Sequence, residues 1–541
     1  MEETIELNQT MQFIIFIAFT LLVGIVAYLA TRKTDENTED GYFLGGRSLT
    51  APVIAASLLL TNLSTEQLVG LNGSAFNEGI LVMAWETLAA IAMVVTATIL
   101  LPRYLKGGLT TVPQFLERRY DTATKSITSG LFLSGYVVVL LPIVLYSGAV
   151  ALIGMFDLTT VFNMDQNTTL VVTVWSIGLI GSVYAIFGGL KAVAVSDTVN
   201  AIGLLIGGIM IPVFGLIYVG DGSLWTGMET IYNHDPSKFK AMGSNESAIP
   251  FSTLFTGMML VQLFYWGTNQ AIIQRALAAK NLVEGQKGLI LAAFVKILGP
   301  LIVVLPGIIA FYIFGGTLDA SQADQSYGLL VNKVLPPVLL GFFAAVLFGA
   351  ILSSFNSALN SSVTLFGLDI YKQYINQDAN ERQVVKAGKT FGIILALLSM
   401  FIAPTIANAP EGLFGYLQEI NGCYSIPILT IILVGYLTKY VPALAAKVAM
   451  GSGVILYSIS QFFLKDYVIE NGGTYPHFLH VMAILFLFNV GIMLLIGKLM
   501  PREVAYEQAY TEQVDITPWK HVKVMGAIVI LIVVSTYFIF T

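Results

Sequence analysis

The chain has 541 residues, of which 56% are hydrophobic and only 11% are charged, and its mean hydropathy is +0.78. Soluble domains carry about 25% charged residues, so this composition excludes a large soluble protein and predicts one that uses lipid as its solvent. The net charge of −6 therefore says nothing about partners, and the single Cys423 excludes an internal disulfide and a cysteine-based metal site.

The apolar runs predict an all-α, polytopic membrane protein. The first run follows an acidic N-terminus, so we interpret it as a retained span and not as a secretory signal peptide. A spanning helix needs about 20 mostly apolar residues, and about 14 such transmembrane helices follow one another along the chain. The candidate spans lie near 11–31, 48–73, 80–102, 126–155, 168–188, 192–219, 249–274, 288–315, 335–371, 386–403, 411–438, 441–464, 478–500 and 519–540.

The distribution of Lys and Arg orients these spans. With the N-terminus outside and the spans alternating, 22 of the 27 Lys and Arg residues fall on the inner side, as the positive-inside rule expects. Lys238, Lys240, Lys333 and Lys465 fall outside, and Lys296 lies within a span. The sequence therefore predicts both termini outside, in the cell (plasma) membrane. The loops are short and contain no Walker motif, which excludes an ATP-driven pump.

A polar run interrupts the second candidate span. Between Thr61 and Gln67 every side chain except Leu63 is polar. Such a run predicts a broken helix, whose freed carbonyls and half-helix ends bind ions and solute at mid-depth. A polar contact between packed helices is the alternative.

Ionisable residues inside apolar spans mark a transport pathway by default. Glu86 lies in the third span and Lys296 in the eighth, each among apolar neighbours. We expect the two charges to neutralise each other or to share a polar ligand, and a purely structural ion pair is the alternative. Asp197 lies near the inner end of the sixth span, where contact with cytosolic water explains it equally well.

Ala350, Ser353 and Ser354 lie on one face of the ninth span because of their spacing. A carbonyl and two hydroxyls are hard oxygen ligands that suit a small alkali cation. Serines in membrane helices also bond the preceding turn and pack as small residues. Taken alone, the pattern favours packing over an ion site.

Five segments in this order resemble the sodium/solute symporter family, and within it the sodium–glucose and sodium–galactose cotransporters. They are Asn62–Gly70, Tyr265–Arg275, Gln286–Gly288, Ser353–Ser361 and Leu368–Tyr371. The resemblance implies a LeuT-type fold, with one transporter domain over 1–541 that contains two inverted five-helix repeats and flanking helices. The repeats would span 48–219 and 249–438, and the peripheral helices 11–31 and 441–540. An odd number of spans per repeat inverts the second one, as this architecture requires.

The resemblance also implies roles for individual residues. Solute contacts fall on Asn62, Gln67, Glu86, Gln262, Tyr265, Trp266, Lys296 and Gln418, and Tyr265 acts as the aromatic inner gate. An outer hydrophobic gate falls on Leu71, Trp85 and Phe414. The sodium ligands are the carbonyls of Leu60, Leu63 and Ala350 and the hydroxyls of Ser353 and Ser354. A second sodium site would use Asp197 with Ser353, Asn356 and Ser357.

These assignments predict Na⁺-driven symport of a small polar solute, a monosaccharide of the glucose or galactose type, by alternating access. Gln262 stands where a galactose-transporting relative has a sugar-binding asparagine, so the particular sugar is left open. The alternatives are Na⁺ symport of inositol, an amino acid, a vitamin or an anion, and a passive channel, which would need a continuous polar stripe. The expected partners are Na⁺, the solute and the lipid bilayer, with no enzymatic activity, organic cofactor or nucleic acid. The oligomeric state is left open.

Overall fold

Helices make up the fold. The computed structural model describes residues 2–32, 37–408 and 413–541, and within these ranges it contains no β-strand, only an isolated bridge between Leu49 and Ala279. Long apolar segments form helices because lipid offers no partners to the backbone N–H and C=O groups, which must bond within the segment. The predicted all-α class is confirmed.

The α-helices fall into four groups along the chain. Those at the N-terminus are Glu2–Thr31 and Glu39–Leu44. Those of the first predicted repeat are Ala51–Asn62, Thr65–Glu78, Ala84–Val95, Leu101–Lys106, Val112–Arg119, Thr122–Gly135, Leu141–Phe156, Leu158–Phe162 and Gln166–Val219. After Leu224–His234, those of the second predicted repeat are Gly257–Gly267, Gln270–Leu277, Leu282–Ile297, Gly299–Val303, Leu305–Phe314, Ser326–Val334, Pro337–Thr364, Glu381–Ile402 and Leu413–Leu437. The C-terminal helices are Ala443–Ile459, Lys465–Glu470, Phe478–Leu499 and Val522–Ile539.

Short segments of tighter or wider helix mark bends in this arrangement. The 3₁₀ segments are Gly45–Arg47, Gly79–Met83, Pro236–Phe239, Phe251–Phe255, Ala320–Gln325 and Ala403–Asn408. The π-helical segments are Thr96–Leu100, Tyr136–Leu140, Leu365–Ile375 and Ser460–Leu464.

Ten helices in the described part of the chain are long and apolar enough to cross a bilayer, or eleven if the bent pair Leu282–Ile297 and Gly299–Phe314 is one span. The number fourteen therefore stays a prediction. The described residues form fewer long apolar helices than the predicted fourteen spans, largely because two of the candidate spans are each divided into two shorter helices. We call Ala51–Asn62 with Thr65–Glu78 the first broken helix, and Gly257–Gly267 with Gln270–Leu277 the second broken helix.

The first broken helix is interrupted where the polar run predicts it. Leu63 leaves the helical region at φ −77° and ψ 59°, and Ser64 is extended. The Ser64 carbonyl then accepts hydrogen bonds from the amides of Gln67 and Leu68, which start the second half. The predicted break is confirmed.

The second broken helix is interrupted at Thr268 and Asn269, a position that the sequence analysis did not locate. The Asn269 side-chain oxygen caps the second half by accepting from the Ala271 amide at 3.0 Å, and the Tyr136 hydroxyl donates to the same oxygen at 2.7 Å. The Tyr104 hydroxyl donates to the Gly267 carbonyl at 2.9 Å. Tyrosines of the first predicted repeat thus satisfy polar groups that a break in lipid would otherwise leave without partners.

The surrounding helices bring other polar residues to the two breaks. The first half of the first broken helix packs against Leu282–Ile297 and against the bent helix Gln166–Val219. The first half of the second broken helix packs against Ala84–Val95 and Leu413–Leu437. These contacts bring the helices that carry Glu86, Lys296 and Asp197 to the breaks.

Candidate functional site

A narrow cavity lies beside the first broken helix. The cavity has room for one or two water molecules, since only about 20 Å³ of it is accessible to their centres. Some of the lining side chains therefore have to move before a solute of sugar size can enter. The lining residues are Asn62, Gln67, Trp85, Glu86, Ala89, Val261, Gln262, Tyr265, Trp266, Lys296, Phe414 and Gln418.

All eight residues assigned to the solute line this cavity, although they come from five separate segments of the chain. Trp85 and Phe414, which were assigned to an outer gate, line it as well. Leu71 is fully buried but does not contribute to the lining. Ala89 and Val261 are lining residues that the sequence analysis did not assign. Val261 gave no signal that distinguishes it from an ordinary core residue, whereas Ala89 stands where the resemblance implies a serine.

Lys296 and Glu86, which both line the cavity, form an ion pair with each other. The Lys296 Nζ lies 2.5 Å from the Glu86 Oε2, and each side chain is only 1% exposed. The same ammonium lies 5.7 Å from the centre of the Trp266 ring, within the range of a cation–π contact. The pair thus neutralises two charges that could not be buried separately.

Gln262 holds two tryptophans of the cavity in place. Its side-chain nitrogen donates to the Trp85 carbonyl at 2.8 Å, and its side-chain oxygen accepts from the Trp266 indole N–H at 3.2 Å. The Gln262 amide is therefore occupied by protein groups on both sides. Gln262 stands where a galactose-transporting relative has an asparagine. Its longer side chain places the amide where it reaches both partners.

Two acceptors of the cavity have no partner. The side-chain oxygens of Asn62 and Gln67 are buried and lack a hydrogen bond among the residues that the structure describes. A buried acceptor left in this state costs about 1–3 kcal/mol. Native proteins satisfy nearly all such groups, so these two oxygens are suited to a ligand that donates hydrogen bonds.

Aromatic rings cover the cavity. Trp85 and Phe414 meet edge to face, with centroids 5.3 Å apart and planes at 80°. Tyr265 and Trp266 make a similar contact, with centroids 5.2 Å apart and planes at 74°. Gly70 allows the first of these pairs to lie close to the first broken helix, because a Cβ there would lie 2.8 Å from the Phe414 Cβ.

The hydroxyls assigned to the coupling sodium ion lie against the first break. Ser354 donates to the Thr61 carbonyl at 2.8 Å, and the Ser353 hydroxyl is 3.5 Å from that of Thr61. Leu60 and Leu63, whose carbonyls were assigned to the ion, lie one residue before and two residues after Thr61, and Ala350 is fully buried one turn before Ser354. Thr61 was missed as a candidate ligand, although it begins the polar run.

Asp197 is buried, so cytosolic water does not explain it. It is 1% exposed, and its Oδ2 accepts from the Ser57 hydroxyl at 2.5 Å. Ser357, also assigned to the second sodium site, lies 3.1 Å from the Thr61 hydroxyl. Asn356 is buried, and neither atom of its amide has a hydrogen-bond partner within the described ranges. Ser57 was missed because a lone serine in an apolar span carries no signal.

Two broken helices around a polar cavity are typical of membrane transporters. The model of the sodium:solute symporter family matches residues 42–455, and the chain belongs to this family. It is therefore a transporter that couples a solute to sodium, and not an enzyme.

Relatives agree with this membership. The chain is 47% identical to the uncharacterized symporter YidK of Escherichia coli (strain K12), over 98% of this chain and 90% of that protein. It is 33% identical to the sodium/glucose cotransporter of Vibrio parahaemolyticus, over 84% of each. Sodium/myo-inositol cotransporter 2 of Sus scrofa is 28% identical over 81% of this chain and 67% of its own length.

Solved structures agree on the fold. A Na⁺-coupled sialic acid symporter in an outward-open state aligns with a TM-score of 0.76 at 18% identity, covering 92% of this chain and 99% of that one. Mhp1, a nucleobase-cation-symport-1 family transporter in a closed conformation, aligns with a TM-score of 0.55 at 14% identity, covering 87% and 97%. At these identities the likeness concerns the fold alone. The repeat bounds 48–219 and 249–438 stay a prediction.

Proposed function

We propose that the chain is a Na⁺-driven symporter of a monosaccharide, of the glucose or galactose type, that works by alternating access in the plasma membrane with both termini outside. The observation that carries this proposal is the pair of unpartnered acceptors, Asn62 Oδ1 and Gln67 Oε1, in a cavity lined by aromatic rings. The 33% identity to a sodium/glucose cotransporter supports the same solute class.

The free polar atoms of the cavity favour a neutral solute rich in hydroxyls. Each hydroxyl of a sugar can donate to one of the unpartnered oxygens and so recover the cost of leaving it unbonded. The Tyr265 and Trp266 rings line the cavity, and an aromatic ring there would pack against the C–H face of a pyranose. A solute that lacks the hydroxyls would leave the buried acceptors unsatisfied and would be rejected on that ground.

An anionic solute fits less well. Lys296 is the cationic residue among the described lining residues, and Glu86 already neutralises it. A carboxylate in the cavity would therefore meet the Glu86 charge without a free cation to balance its own. The second candidate is myo-inositol, a polyol with the same hydroxyl chemistry, which the 28% identity to a sodium/myo-inositol cotransporter supports.

The coupling ion would bind at Leu60, Leu63, Ala350, Ser353 and Ser354. This ligand set joins the first broken helix to Pro337–Thr364, which the Ser354 bond to the Thr61 carbonyl already connects. An ion held there would stabilise the first broken helix in the form that presents Asn62 and Gln67 to the cavity. Sodium binding would then raise the affinity for the solute by linkage.

The test is uptake into proteoliposomes that contain the purified chain. Labelled glucose, galactose, myo-inositol, sialic acid and an amino acid are compared, each with an inward sodium gradient and with choline in place of sodium. We expect sodium-dependent accumulation of a hexose, and competition by other neutral polyols. Accumulation of sialic acid or of the amino acid alone would contradict the proposed solute class. Equal uptake with sodium and with choline would contradict the proposed coupling.

A further inference from the structure

Arg275 is a fully buried cation in the second half of the second broken helix. The sequence analysis placed it among the Lys and Arg residues of the inner surface, but in the structure its exposed fraction is 0%. Its Nε donates to the Ser57 hydroxyl at 3.2 Å, and its terminal nitrogens donate to the Ser357 hydroxyl and to the Ala271 carbonyl of its own helix. The guanidinium therefore connects three helices in the interior of the protein.

The Ser57 hydroxyl links this guanidinium to a buried carboxylate. Ser57 accepts from Arg275 and donates to the Asp197 Oδ2 at 2.5 Å. The other carboxylate oxygen of Asp197 has no hydrogen-bond partner among the described residues. Ser357, which Arg275 also contacts, donates to the Ser353 carbonyl at 2.6 Å. Arg275 thus contacts Ser357 directly and Asp197 through Ser57, and both Ser357 and Asp197 were assigned to a second sodium ion.

We propose that Arg275 is an internal cation that competes with sodium for Asp197 and Ser357, so that an ion enters this second site only when the guanidinium withdraws. The inference rests on the proposed sodium coupling and adds a positioning residue to it. One carboxylate and a few hydroxyls neutralise one buried cation, and two cations there would repel each other at low dielectric. Without either cation, Asp197 would be a buried charge with no counterion.

The competition would connect ion binding to helix movement. Through Ser57 and Ser357, Arg275 holds the second half of the second broken helix against Ala51–Asn62 and Pro337–Thr364. Sodium that displaces the guanidinium would release both bonds at once. The half-helix could then move away from its neighbours, while the ion keeps Asp197 neutralised.

The experiment measures sodium binding to the purified full chain in lipid nanodiscs without solute. Radioactive sodium binding and the melting temperature are followed against sodium concentration, with choline keeping ionic strength constant. Arg275→Gln removes the competing charge but keeps two donors and an acceptor, and Arg275→Lys keeps the charge but loses the planar fork. We expect the sodium concentration at half-saturation to fall about tenfold in Arg275→Gln, which is a gain in sodium affinity. It should stay near the wild-type value in Arg275→Lys. In the double variant Asp197→Asn/Arg275→Gln this gain in affinity should disappear.

The outcomes separate competition from a structural role. If Arg275→Gln folds only when sodium is present, competition is supported, since the ion replaces the missing counterion. If it is unfolded in sodium and in choline alike, while the double variant folds, Arg275 is a structural partner of Asp197 and the proposal fails. The proposal also fails if Arg275→Gln and Arg275→Lys change the sodium dependence equally, or if the double variant keeps the higher sodium affinity of Arg275→Gln.

The same sodium titration on Ser354→Ala tests the first sodium site of the proposed function, independently of Arg275. That variant removes one ligand of the first sodium site and leaves Asp197 and Arg275 in place. If its sodium dependence is unchanged, the first site is wrong, but the comparison of Arg275→Gln with Arg275→Lys still decides the role of Arg275.

Discussion

Lys296 and Glu86 form an ion pair buried inside the protein, with Nζ and Oε2 2.5 Å apart and 1% of each side chain exposed. In such a pair, loss of one partner costs about 3–5 kcal/mol because the other charge stays buried, whereas replacing both leaves no unpaired charge. The pair therefore allows its structural role to be separated from any contact with the solute.

We predict that Lys296→Ala and Glu86→Ala each reduce the amount of folded protein in the membrane, and that the double variant restores it. If the two residues also contact the solute, the double variant stays inactive in sodium-driven uptake per inserted molecule. Restored uptake would contradict the solute role. Lys465→Ala serves as the control, since its pair with Glu419 at 2.7 Å is partly exposed and is worth about 0–1 kcal/mol.

A second prediction tests the sodium ligands. Replacing both Ser353 and Ser354 with alanine removes two hydroxyl oxygens next to Thr61, and each costs about 1–3 kcal/mol if it binds the ion. Half-saturating sodium for uptake should rise about tenfold or more. Ser362→Ala is the matched control, because this serine lies on the same helix and its hydroxyl donates to the Ala358 carbonyl of the preceding turn at 2.8 Å. Equal sodium dependence in the double variant and the control would refute the cation role.

A third prediction concerns Tyr265 as the inner gate. Tyr265→Phe keeps the ring that lines the cavity and contacts Trp266, so it should retain measurable transport. Tyr265→Ala removes the ring and should lose most of the uptake per inserted molecule. Tyr457→Ala, which removes a buried tyrosine bonded to the Glu419 carbonyl, should lower the amount of inserted protein instead. Near-normal uptake per molecule in Tyr265→Ala would show that this residue is no gate.

A fourth prediction uses a glycine that borders the ion pair. A Cβ at Gly299 would lie 2.3 Å from the Glu86 Oε2, so Gly299→Ala has to displace this carboxylate. Overpacking of this kind costs about 1–3 kcal/mol, and we expect a lower melting temperature together with reduced uptake. Gly451→Ala is the control, since a Cβ there meets nothing within 4 Å. An unchanged melting temperature in Gly299→Ala would show that Glu86 can move without cost.

The sequence by itself determined the features that depend on local composition. The chain has too little charge to cover a water-facing surface, which indicates that lipid surrounds most of it. Its long apolar runs predict helices, because a helix satisfies its own backbone groups in lipid. The polar run from Thr61 to Gln67 determined where the first broken helix is interrupted, because the interruption is encoded in neighbouring residues. The residues assigned to the solute could be named because five family segments contain or neighbour most of them.

Only the tertiary structure decided how separated residues are paired. That Glu86 bonds Lys296, 210 positions away, and that Gln262 is occupied by Trp85 and Trp266, follows from helix packing. The same packing buries Arg275 against Ser57 and Ser357, although counting charges placed it at the inner surface. Hydropathy and charge are properties of one segment, whereas the burial and the partners of a side chain depend on which helices lie beside it.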